Sequence, residues 1–62
     1  MEKLNFNEVA KCFCNAILEN NSYDSFIQHK ANFVFNKIDN NQMLVNDFND
    51  YDNITSFILI RK

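Results

Sequence analysis

The chain has 62 residues, with eight acidic and six basic side chains for a formal net charge of −2, two cysteines, and neither glycine nor proline. That length allows one small domain near the lower limit for independent folding. The lack of a basic excess argues against direct nucleic-acid binding, and no run is long or apolar enough to span a bilayer. Cys12 and Cys14 would point about 200° apart on a helix, which argues against a disulfide framework or a shared metal. A core this small therefore calls for a partner subunit or a partner protein.

The first predicted helix covers 6–19. Asn5 is a suitable N-cap, with Glu8 three residues on in the position of a capping-box partner. Phe6, Val9, Ala10, Phe13, Ala16 and Ile17 share one face, with Cys12 and Cys14 on its shoulders as small flanking hydrophobes. Asn20 and Asn21 replace a closing glycine, since asparagine tolerates the left-handed conformation.

The second predicted helix covers 23–38, capped by Ser22 with Asp24 in its first turn. Its apolar arc is wide. Ile27, Ala31, Val34 and Ile38 form the centre, Phe35 extends one edge, and Phe26 and Phe33 extend the other. Lys30 and Lys37 fall inside the arc and are expected to snorkel along their stems. An arc of this width suits a helix packed on two neighbours.

At Asp39-Asn40-Asn41, either asparagine can take the left-handed position, and Asp39 with Gln42 is expected to cap a third helix over 42–58. Leu44, Phe48, Tyr51, Thr55 and Ile58 line one face of that helix. Phe57 and Ile60 break the pattern and fall on the polar side, so the segment from about Thr55 reads either as helix or as a β-prone tail. Apolar surface left over there is the usual mark of a contact. The architecture implied is all-α, a single domain of three antiparallel helices completed by oligomerisation.

No constellation of catalytic residues emerges. The acidic run Asp47 to Asn53 fails as an EF-hand loop, because Tyr51, Asp52 and Ile58 hold positions that need a ligand, a glycine and a glutamate; it reads as a solvated helix face. His29, the only histidine, has no carboxylate or cysteine at helical spacing. Without glycine there is no phosphate loop. No enzyme activity, metal, cofactor or small-molecule substrate is expected. The sequons at Asn20 and Asn53 read as chance in an asparagine-rich chain. Free thiols and the absence of an export signal point to the cytoplasm. The Asn, Ile, Lys and Phe bias suits an AT-rich genome such as that of a low-GC bacterium or its phages.

The stretch Glu8–Tyr51 resembles the N-terminal part of the YlbF/YmcA family of small helical bacterial proteins, on Ala10, Ile17, Ser22, Tyr23, Phe26, Ala31, Asp39, Gln42, Leu44, Val45 and Phe48. The resemblance implies a self-associating or hetero-associating cytoplasmic adaptor, of a family linked to competence, sporulation, biofilm formation and RNase Y-dependent RNA processing. The family's iron–sulfur clusters have no counterpart assignable to Cys12 or Cys14.

The expected function is thus regulation through helix-mediated protein contact, with Phe35, Tyr51, Phe57, Ile58 and Ile60 as the contact residues. The alternative expectation is a phage or mobile-element inhibitor that blocks a host or defence protein.

Overall fold

The computed structural model describes residues 5–59 and contains three helices, α1 (Phe6–Glu19), α2 (Ser25–Asp39) and α3 (Phe48–Leu59). No strand occurs among the described residues. The all-α three-helix architecture is therefore the one expected, and residues 55–59 are helical. The boundaries of α1 agree with the sequence reading, and its N-cap is Asn5, whose side chain accepts from the backbone N–H groups of Asn7 and Glu8. Glu8 pairs with Lys11 instead of turning back to the cap, and Lys11 also reaches Asp39 at the end of α2. Glu8 first, and then Asp39, hold the Lys11 ammonium above its ordinary value.

Both later helices start further on than expected. Ser22 is not a cap: its N–H donates to Asn20 Oδ1 within the turn. Asp24 caps α2 instead, accepting from Ile27 N–H at 2.9 Å. A carboxylate there also meets the positive end of the helix dipole. Neither asparagine of this first turn is left-handed, because Asn41 is the one non-glycine residue of positive φ among those described. The carbonyls at the end of α1 are met by Gln28 Nε2, which donates to Ile17 and Asn20.

The second junction is a Schellman motif built without glycine. Asn41 takes φ 61°, its N–H donates to the Ile38 carbonyl, and Gln42 N–H donates to the Lys37 carbonyl at 2.8 Å. With its amide used to close α2, Gln42 cannot open α3. The chain instead runs irregularly to Asp47, and Val45 is buried on the way, its N–H donating to Asn7 Oδ1 of α1. Asp47 then accepts from Asp50 N–H, and Asp50 accepts from Asn46 N–H, so two carboxylates secure the start of α3. This corrects the expected start at 42 and the capping role given to Asp39.

The core is a cluster of Ala10, Cys14 and Ile17 from α1, Ala31, Val34 and Ile38 from α2, Val45, and Ile54 and Ile58 from α3. The buried stripe of α1 is rotated towards Cys14, which leaves Ala16 exposed where burial was expected. Helix α2 packs on both neighbours, as its wide arc suggested, and most extensively on α1. Because 42–47 is not helical, Leu44 does not join the core, and Phe48 is exposed as well.

Candidate protein-contact face

The wide arc of α2 divides into two parts. Ala31, Val34 and Ile38 are buried, whereas Phe26, Lys30, Phe33 and Lys37 recur at four-, three- and four-residue spacing, which places them in one stripe along the helix. Phe26 and Phe33 on this stripe are 59% and 49% exposed, and Phe57 of α3 is 51% exposed. Half-exposure of three phenylalanines in so small a protein leaves more apolar surface in water than folding alone requires.

Lys30 joins these rings into one surface. It is only 8% exposed, yet its Nζ is not left without partners. Its Nζ lies 4.7 Å from the centroid of Phe26 and 5.4 Å from that of Phe57, and it donates to the Phe57 carbonyl at 2.8 Å. The two rings supply π-faces to the cation, while the carbonyl accepts a charge-assisted hydrogen bond. Lys30 therefore departs from the expected snorkelling, its head being held inside the protein and not in water, whereas Lys37 is half-buried and holds its Nζ 5.3 Å from the centroid of Phe33.

Two shallow grooves flank Phe33. One, of about 240 Å³, lies between α2 and α3 and is lined by Phe33, Val34, Met43, Asn53, Ile54 and Phe57. The other, of about 280 Å³, is lined by His29, Asn32, Phe33, Asn36, Lys37 and Gln42. No carboxylate lines either groove. The first is almost wholly apolar and open, suited to a side chain from another macromolecule. His29 is exposed beside Lys37 and has no acidic neighbour in its groove.

Of the contact residues expected from sequence, Phe57 lies at this face. Phe35 and Tyr51 are half-buried against the core, and Tyr51 stacks edge-on against Phe13 with ring centroids 6.1 Å apart. Ile58 is a correction: at 0% exposure it belongs to the core, because α3 begins late and turns Ile54, Thr55 and Ile58 inwards together. Ile60 lies outside the described residues. Phe26 and Phe33 were assigned to helix packing and so were missed as surface, although their spacing with Lys30 and Lys37 was visible in the sequence.

No group of three or more His, Cys, Asp or Glu among the described residues could hold a metal ion. No described helix is long and apolar enough to cross a membrane. Asp47 and Asp50, two carboxylates of the acidic run, are engaged in capping α3. In comparisons with family models, curated proteins and solved structures, nothing matched this chain.

Proposed function

We propose that this chain is a non-enzymatic helical adaptor of the cytoplasm that acts by protein–protein contact through the aromatic face of α2 and α3. The single observation that carries this reading is the continuous surface of Phe26, Phe33 and Phe57, half-exposed around a buried lysine. A cation fixed between two rings keeps both rings presented, so the surface is pre-formed and loses little side-chain freedom on binding. Exposed aromatic side chains next to an apolar groove are the usual anchors of protein interfaces. The resemblance of Glu8–Tyr51 to the YlbF/YmcA proteins points to the same kind of role.

A photo-crosslinking phenylalanine analogue at position 33 or 57 tests the reading in cells. Discrete protein adducts are expected at both positions and not at the exposed position of Asn15 on α1. The same adduct pattern at all three positions, or none at 33 and 57, would remove this face as a contact site.

A further inference from the structure

The aromatic face is one half of a complementary pair carried on a single chain. From Ser25 to Ile38 the sequence holds His29, Lys30 and Lys37 and no carboxylate. From Ile38 to Ile60 it holds Asp39, Asp47, Asp50 and Asp52 and no lysine, arginine or histidine. The exposed stripe of α2 thus offers Lys37 as its cation, since Lys30 is buried and the carboxylates of α2 lie at its two ends, Asp24 as its cap and Asp39 paired with Lys11, whereas the start of α3 is anionic.

Each charged region carries its own exposed apolar group. The cationic region has Phe26 and Phe33. The anionic region has Phe48, at 67% the most exposed large apolar side chain among the described residues, with Leu44 close behind at 62%. Phe48 and Phe57 are nine residues apart on α3, about 180° around the helix. Phe57 accordingly lies by Lys30 of α2, while Phe48 lies by Tyr51, which meets Phe13 of α1. The two surfaces point to opposite sides, and one molecule cannot close them on itself.

We infer that the chain associates head to tail with a second copy of itself. The groove between Phe33 and Phe57 of one copy receives Phe48 of the next, and the negative charge of Asp47, Asp50 and Asp52 lies against Lys37. This rests on the reading of the aromatic face as a contact site. Pairing this face with itself would bring Lys37, whose Nζ lies over the Phe33 ring at the edge of the groove, towards its own copy with no carboxylate among the groove-lining residues, a repulsion that the head-to-tail arrangement avoids. Because the contact uses two different patches, each copy in a pair keeps one of each free, and assembly continues past the dimer or closes as a ring. A half-exposed phenylalanine offers on the order of 100 Å², so the anchors alone fall well short of the roughly 800 Å² per partner of a tight interface. Association is therefore weak and concentration-dependent.

Light scattering after size exclusion, over about a hundredfold range of concentration, tests this with two variants at exposed positions. Phe33→Asp spoils the groove and keeps the anchor; Phe48→Lys does the reverse. The expected result is that the unaltered chain grows past the dimer with concentration and each variant alone stays monomeric. An equimolar mixture of the two variants should form dimers and stop there, since it contains one intact interface. A monomer throughout for the unaltered chain, a variant that associates as the unaltered chain does, or a mixture of two folded variants that stays monomeric would each overturn the proposal. Should Phe33→Asp lose its helical circular dichroism, Lys37→Glu takes its place in the same scheme, with association at least tenfold weaker as the expected effect. The position-33 crosslinks separate this inference from the one it rests on. Adducts mapping to residues 44–52 of a second copy support both, whereas adducts to a different protein overturn self-association and leave the contact face intact.

Discussion

Lys30 Nζ on α2 donates to the Phe57 carbonyl on α3 at 2.8 Å, while the ring of the same Phe57 lies 5.4 Å from that ammonium. One residue of α3 thus engages the lysine through both its backbone and its side chain. Lys30→Met keeps the buried stem and removes the charged donor, so a loss of about 1–2 kcal/mol is expected. A double-mutant cycle with Phe57→Leu should show a coupling of roughly 0.5–1 kcal/mol from the ring. Urea denaturation measures both, and an unchanged midpoint for Lys30→Met would show that the latch contributes nothing.

The linker before α3 is held by a second long-range bond, from Val45 N–H to Asn7 Oδ1 at 2.6 Å. Val45 is buried, so its amide has no water to replace a lost acceptor. Asn7→Ala should cost about 1–2 kcal/mol and speed hydrogen exchange at the Val45 amide at least tenfold, since about 1.4 kcal/mol corresponds to that factor. Exchange at the unaltered rate would mean that another group satisfies this amide.

Where local chemistry decides, the sequence was readable. The bounds of α1, its Asn5 cap and the central residues Ala31, Val34 and Ile38 of α2 follow from capping preference and helical period alone. Where two local solutions compete, tertiary structure chose. Both Ser22 and Asp24 are acceptable caps, and the Asn20 side chain engages the Ser22 amide and leaves the role to Asp24. The start of α3 was hidden because Asp39 with Gln42 imitates a capping pair, whereas Gln42 is committed to the Schellman motif and the Val45 amide is bonded to Asn7 of α1. The contact face was half legible. Phe57 stood out as an apolar residue off its helix's pattern, but Phe26 and Phe33 looked like packing residues, because periodicity does not tell how far a neighbouring helix reaches around an arc.

Asn41 offers a test of the turn itself. At φ 61° it stands in the left-handed region, which glycine enters freely and β-branched residues resist. Asn41→Gly is expected to leave stability within about 0.5 kcal/mol of the original, and Asn41→Val to lower it by about 1–2 kcal/mol. Thermal melts of the pair decide the matter. Equal melting temperatures would mean that the junction can close in another way.

The two thiols stand in opposite surroundings, Cys12 exposed and Cys14 buried. Burial pushes the Cys14 thiol up from 9.0 to about 11. The folded state therefore keeps its proton at pH values where the unfolded chain has released it. The resulting stability is fully present below pH 9 and is lost as pH rises from there towards 11. In a Cys12→Ser background, denaturation midpoints between pH 8 and 11 should fall more steeply with Cys14 present than with Cys14→Ala, by roughly 1 kcal/mol per pH unit. The comparison isolates the contribution of Cys14 from that of every other group in the chain. Parallel slopes would mean that the Cys14 thiol ionises as readily folded as unfolded. In the unaltered protein at pH 8, a thiol reagent should then label Cys12 at once and Cys14 only as the chain opens, and two equally fast thiols would contradict the burial on which the pH dependence rests.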